Sequence, residues 1–386
     1  MIKKTPALVW WFSLLLFIYG VMLGGLQLVI GDIAQNFGVG LLGIGSLAAV
    51  MHVASATAPA LMGIVADRIG KKKILVAFSF VFGLGCLLAG SAPSLIFYMV
   101  STLFIGAGYS VCESIISALC VELDEEKGAS YVNLTQCLLS TGAIVSPIVL
   151  AKIPVMSIPT WRLMFWFCAV CLVIMGLILV TKHFPAGIPA AKKKSPISRN
   201  LLLSPIFLAL LVSIFLYIGL EKGFGYFVEL LFEKKTSGEK LAAYGISVYW
   251  AGMALSRLVF GLVSYRPRRV VRLCLLGCAL GFVGLATLAS GSACVAMCAL
   301  VGITHGPVWT TLVAGAAERF PQYRASATGL MSAGGGLAGI TYPIIIGAIA
   351  NGMGLQAGFL LLAATCVIGA VLAFALHNKK PEKVSP

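Results

Sequence analysis

Few side chains in this sequence can do chemistry, and most of them lie inside runs that are otherwise apolar. Glu113 closes the run Gly106-Ala107-Gly108-Tyr109-Ser110-Val111-Cys112-Glu113, and further on Asn133-Leu134-Thr135-Gln136 sets two amides one helical turn apart. A carboxyl kept out of water is the kind of group that binds and releases a proton in a working cycle. The alternative for Glu113 is a structural carboxyl hydrogen-bonded to a neighbouring helix. Glu221 and Lys222 sit side by side in Tyr217-Ile218-Gly219-Leu220-Glu221-Lys222-Gly223-Phe224-Gly225-Tyr226. Adjacent helical residues point ~100° apart, so one of the two faces an interior while the other pairs elsewhere, or they pair with each other or across helices. Glu221 is thereby a second candidate for proton exchange, and Lys222 and Tyr226 are candidates for ligand contact. His305 lies one turn before Trp309 in Gly302-Ile303-Thr304-His305-Gly306-Pro307-Val308-Trp309. A donor beside an aromatic platform suits a polar, ring-shaped ligand, although Trp309 serves equally well as packing. Gln27, Asn133 and Gln136 carry amides that can read hydroxyl groups or bond a neighbouring helix. His52 reads as a packing histidine.

These residues are positioned by spans of bilayer length. The chain has 386 residues, of which 60% are hydrophobic and 11% charged. That balance places it among polytopic membrane proteins, and ~20 residues per span gives room for about twelve helices. Its 43 glycines suit close approach of helices in lipid. A net charge of +15 would suggest nucleic acid in a soluble protein. Here the basic residues fall in alternate loops, as membrane orientation requires, and nucleic acid is excluded as a partner. Met1-Ile2-Lys3-Lys4 opens like a signal peptide, but the apolar run that follows is too long for one, so an uncleaved first span is expected. The 11 cysteines lack acidic or histidine neighbours and read as small apolar residues, with neither metal nor disulfides indicated.

Spans are expected over 7–31, 40–64, 74–91, 95–120, 130–151, 161–180, 203–231, 240–263, 270–290, 292–317, 325–350 and 354–377. The fold class is an all-α integral membrane protein with twelve transmembrane helices in two six-helix bundles. Residues 1–180 form the first bundle, 181–202 a basic linker, and 203–386 the second bundle with a short tail. Counting Lys and Arg by side puts both termini and the linker in the cytoplasm. The opposite side keeps only Lys152, Arg162, Lys234, Lys235 and Lys240. Trp10, Trp11, Trp161 and Trp166 lie near span ends and read as interfacial belts. The halves repeat: Gly106, Glu122 and Pro147 recur as Gly302, Glu318 and Pro343, and Gly63, Arg68 and Lys71 recur as Gly261, Arg266 and Arg269. Parallel halves with a site between them are a layout of secondary transporters.

The run Gly63-Ile64-Val65-Ala66-Asp67-Arg68-Ile69-Gly70-Lys71-Lys72-Lys73 is expected to be a charged loop in water between the second and third spans. It resembles the loop at that place in the major facilitator superfamily. A finer resemblance is to the fucose-permease-like branch of sugar–proton symporters, through Leu216–Glu221, Gly252-Met253-Ala254-Leu255-Ser256-Arg257-Leu258, and Asn133–Gln136 after Glu113. In that branch a glutamate at the matching position handles proton and substrate. The branch has an acidic residue where this chain has Gln27, and Asn-Pro where it has Ser117-Ala118. Gly142-Ala143-Ile144-Val145-Ser146-Pro147 loosely resembles the Gly/Pro motif of drug–proton antiporters.

The expected function is proton-coupled alternating access for a small polar metabolite, a sugar by the resemblance, in the inner membrane. A proton gradient replaces any cofactor, the protein is a monomer in the bilayer, and it is no enzyme, since neither a metal-protease nor a nucleophile-elbow motif occurs. The alternatives are a proton-driven exporter of drugs or amphipathic metabolites, or an organic-anion transporter, for which Lys222 leaves room. Gly63, Asp67, Arg68, Gly70, Arg257 and Arg266 are expected to take part in conformational gating. The resemblance implies that Asp67 latches the halves, since its counterpart in the second copy is Tyr265. Asp67→Asn is therefore expected to slow transport in proteoliposomes with equilibrium affinity intact; a variant that lost affinity alone would count against the latch.

Overall fold

The computed structural model describes residues 6–124, 128–153, 157–184, 199–236, 241–263, 265–320 and 324–376. For some further helical residues, Asp67 and Gly261 among them, only the backbone is described. Most of the linker, the end of the tail and the side chain of the expected latch Asp67 therefore lie outside the described residues.

Among the described residues there are twelve long helices and no strand. They are α1 (Ala7–Asn36), α2 (Leu41–Ile69), α3 (Lys71–Gly90), α4 (Leu95–Leu123), α5 (Gly128–Lys152) and α6 (Thr160–Thr181). After a helical turn at Arg199–Leu202 come α7 (Pro205–Thr236), α8 (Leu241–Leu262), α9 (Pro267–Thr287), α10 (Gly291–Arg319), α11 (Arg324–Met353) and α12 (Leu355–Leu372). In lipid each span must satisfy its own backbone, which a helix does internally. Among the described residues, eleven helices are long and apolar enough to cross a membrane.

The charged run Gly63–Lys73 is not a loop. Helix α2 continues through Arg68 to Ile69 and α3 begins at Lys71, leaving Gly70 alone to make the turn. Gly70 has φ 98°, a region where any side chain is strained. A helix satisfies its backbone in water as well as in lipid, so charge alone does not end one. Lys71 then forms an ion pair with Glu122, joining the start of α3 to the end of α4.

The contacts divide the chain into two units, Met1–Val39 with Leu47–Lys192, and Gly40–Ser46 with Lys193–Pro386. Within the first, α1 packs on α5, and α3 on α4 and α6; within the second, α7 packs on α11, and α9 on α10 and α12. Each pairing recurs six helices later, which is the sequence repeat in physical form. Its tightest expression is a glycine under a carbonyl. A Cβ on Gly106 would collide with the Met51 carbonyl, and one on Gly302 with the Tyr249 carbonyl. Backbones approach this closely only where one partner has no side chain. Gly142 serves the same purpose under the Phe17 carbonyl, so the antiporter-like segment of α5 is occupied in packing against α1.

Basic residues also close helix ends. Lys72 donates to the carbonyls of Val180 and Lys182 at 2.7 Å each, beyond the last turn of α6. Arg268 reaches the Phe374 and Leu376 carbonyls after α12, at 2.7 and 2.9 Å. Two cations that the orientation count leaves on the opposite side do the same work. Arg162 caps α3 through Gly90 and Ala92, and Lys235 caps α9 through Leu285, Ala286 and Leu288. Carbonyls at a helix C-terminus carry partial negative charge and lack partners in the helix, so a cation there is favoured. Trp161 is no interfacial residue: it is fully buried against Phe37, Tyr98 and Phe165. Trp10 is exposed as expected, and the Trp166 ring N–H donates to Ser91.

The two classes of glycine should separate on substitution. Gly302→Val puts atoms into the α8–α10 contact and is expected to cost about 1–3 kcal/mol, read as a lowered melting temperature in detergent. At Gly63 a Cβ meets nothing within 4 Å. Gly63→Ala, inside α2, is expected to leave stability unchanged or raise it by up to ~1 kcal/mol.

Candidate functional site

In the first unit the structure brings Glu113 and Gln136 together. Glu113 sits on α4 and Gln136 on α5, and the Gln136 side-chain amide donates to Glu113 Oε1 at 2.9 Å. Both are half-buried, while Asn133, one turn earlier on α5, is exposed. One turn before Glu113, Tyr109 stacks on Tyr19 of α1 with ring centroids 4.4 Å apart and planes 12° from parallel. The amide has both a donor and an acceptor end. It can donate to an ionised carboxylate, or turn and accept from a protonated one, so the contact survives either state of Glu113. Gln27 lies buried on α1.

In the second unit Glu221 and Lys222 of α7 pair with each other, Nζ to Oε1 at 2.8 Å, both retaining some exposure. Of the arrangements the sequence left open, the mutual pair is the one observed; flexible side chains bridge the angle between neighbouring positions. Tyr226, one turn on, is buried.

His305 of α10 is fully buried, and the Tyr217 backbone is the one hydrogen-bond partner its ring meets among the described residues. Tyr217 of α7 meets it edge-on, centroids 4.2 Å apart, and Tyr249 of α8 lies 6.1 Å away on a near-perpendicular plane. The Tyr217 hydroxyl is buried beside the Arg257 guanidinium, and the Tyr249 hydroxyl is buried without a partner among the described residues. The charges of Glu221, Lys222 and Arg257 all act on His305. Arg257 of α8 donates Nε–H to the Gly306 carbonyl at 3.2 Å and is close enough to act on Tyr217. It is therefore held inside its unit, partly buried, while Arg68 and Arg266 are exposed.

Trp309, a turn past His305, is 39% exposed. His52 is buried with its Nδ1 3.2 Å from Ser55 Oγ, the packing histidine expected. Sequence reasoning passed over Tyr217 and Tyr249, which look like two more aromatics in apolar runs. The available signal was the repeat, which sets Tyr249 on α8 opposite Met51 on α2 and a polar group where the first copy is apolar. Among the described residues no cluster of His, Cys, Asp and Glu is able to hold a metal ion.

The family model of the Major Facilitator Superfamily matches residues 12–322 and 210–386. Solved structures with the same fold include a mutant nucleoside transporter NupG, 16% identical, with a TM-score of 0.78 over 95% of this chain and 99% of that one. A bacterial homolog of the human lysosomal transporter Spinster is 14% identical, with a TM-score of 0.76 over 95% of each chain. The fucose:proton symporter FucP of E. coli, in a variant form, is 16% identical, with a TM-score of 0.64 over 95% of this chain and 97% of that one. With both copies of the repeat covered and twelve helices in the matching fold, the chain belongs to the Major Facilitator Superfamily and is a multi-pass membrane transporter.

Proposed function

We propose that the protein is a proton-coupled symporter for a small polar metabolite of the sugar class, working by alternating access in the inner membrane with both termini in the cytoplasm. The observation that carries the coupling is the Glu113–Gln136 contact. An acidic side chain inside a span is costly and is kept there for a reason. An amide that serves both protonation states lets the acid change state without losing its partner. Glu221, held by Lys222 at 2.8 Å, is the weaker candidate, because protonating it would break an ion pair. The solved relatives include a transporter of nucleosides and a symporter of fucose with protons, both handling small polyhydroxylated solutes. The likeness of fold supports that class without choosing within it.

Glu113→Gln, which keeps the shape but cannot ionise, is expected to abolish accumulation driven by a pH gradient in proteoliposomes. Counterflow exchange of the same substrate, which needs no net proton movement, should persist. Full pH-driven uptake by the variant would remove Glu113 from the proton path. Substrate leaving the vesicles as protons enter would establish an exporter instead.

A further inference from the structure

We infer that Arg257, with Tyr217, Tyr249 and His305 around it, is the anchor for one anionic group, a carboxylate or phosphate, on the transported molecule. This rests on reading the chain as a transporter of a small polar metabolite, and it narrows that class to organic anions such as sugar acids.

The argument begins with a charge. A guanidinium stays ionised under all ordinary conditions, and inside a span it is retained only beside groups that answer its charge. Arg257 donates one N–H to the Gly306 carbonyl, which accepts a hydrogen bond but does not neutralise it. No described carboxylate lies within ion-pair distance of it; Glu221, paired with Lys222 at 2.8 Å, acts on it only from further off. Around this cation stand buried polar groups that are short of partners: the Tyr217 hydroxyl, which meets only the guanidinium itself, the Tyr249 hydroxyl, which has no partner among the described residues, and the His305 ring, which has only the Tyr217 backbone beside it. Buried polar groups are nearly always hydrogen-bonded, and under-satisfied groups from three helices gathered in one cluster call for an explanation. Ordered water or a sugar hydroxyl would satisfy the hydroxyls and the ring. Neither would answer the guanidinium. A carboxylate or phosphate does both, because its oxygens accept from the planar fork of the guanidinium and from tyrosine hydroxyls together. Arg257, Glu221 and Lys222 all keep partial exposure, so the cluster has an accessible side. The first unit has no such donor set at the equivalent place: the repeat sets Met51 where the second unit has Tyr249.

The test uses purified full-length protein and matched pairs of probes: D-glucose against D-glucuronate and D-gluconate for the carboxylate, and D-glucose against glucose 6-phosphate for the phosphate. Melting temperature and tryptophan fluorescence report binding. One of the acids or the phosphate ester is expected to raise the melting temperature, with glucose inert. Arg257→Gln should weaken that binding by at least about tenfold and Arg257→Lys by less, since lysine keeps the charge but loses the fork. Tyr249→Phe, which removes only an oxygen, should weaken it several-fold with the unliganded melting temperature unchanged; this variant carries the test if Arg257→Gln does not fold. The inference is overturned if neither anionic arm binds, if glucose binds as tightly as its acid, or if Arg257→Gln and Tyr249→Phe bind the acid as the parent does. Acid binding that depends on Arg257 without proton-driven uptake would sink the coupling and keep the anchor. Proton-driven uptake of glucose, lost in Glu113→Gln, would keep the coupling and sink the anchor.

Discussion

A charge inside an apolar helix must be met by something, and this demand organises more of the molecule than any single packing contact. At helix ends it is met by carbonyls. Lys72, Arg162, Lys235 and Arg268 each close the C-terminus of a neighbouring helix, where backbone oxygens would otherwise stand unpaired. The same side chains that set orientation thus fasten α3 to α6 and α9 to α7 and α12. Deeper in the units carbonyls are spent within the helices, and a charge must find another kind of partner. Glu113 finds an amide and Glu221 a lysine; Arg257 is the exception, bonding the Gly306 carbonyl and meeting the charge of Glu221 only at longer range. The chemistry concentrates where the demand is hardest to meet.

How closely the helices approach decides which groups can meet, and that approach is set by glycine. Gly302 beneath the Tyr249 carbonyl draws α8 against α10, and this contact brings Tyr249 within reach of His305. Gly306, one turn on, admits Ser256 and the backbone of Met253, and its own carbonyl receives Arg257. The donor cluster of the second unit is therefore a consequence of two small residues in α10. In the first unit Gly106 draws α2 to α4 in the same way, but the residue above it is Met51, and no polar group results. One backbone frame is thus built twice and furnished differently.

Most of the fold was legible in the sequence because its determinants are one-dimensional. Span length follows from bilayer thickness, and the repeat shows as glycines, glutamates and prolines at fixed offsets. The charged run Gly63–Lys73 misled because its charges suggest a loop, while a helix projecting from lipid carries them without cost; only Gly70 breaks it. Trp161 misled because nearness to a span end does not say which way a ring points. In the candidate site, Glu113, Gln136, Glu221, Lys222 and His305 stood out as polar groups in apolar surroundings. Their partners did not: the pairing of Glu113 with Gln136 crosses helices, and periodicity within one helix carries no word of it. The contact of Arg257 with the Gly306 carbonyl likewise crosses helices and cannot be read along the chain. Tyr217 and Tyr249 were hidden because a tyrosine counts as apolar until its hydroxyl is found buried among charged groups.

The unequal furnishing of the two units has a consequence for coupling. On the proposed readings the first unit holds the group that takes a proton and the second a cation that waits for an anion. Each unit then carries one charge that its ligand cancels: the proton neutralises Glu113, and the anionic group answers Arg257. A carrier loaded with both ligands buries less uncompensated charge than one loaded with either alone, and a conformational change through an apolar bilayer discriminates strongly against buried charge. Counted over these two groups, the empty and the doubly loaded forms are both net neutral, whereas either singly loaded form carries a net charge. Coupling on this scheme requires no direct contact between proton and substrate. It follows from the cost of moving a half-neutralised protein, and a neutral cargo would leave Arg257 out of that account and the coupling to Glu113 alone.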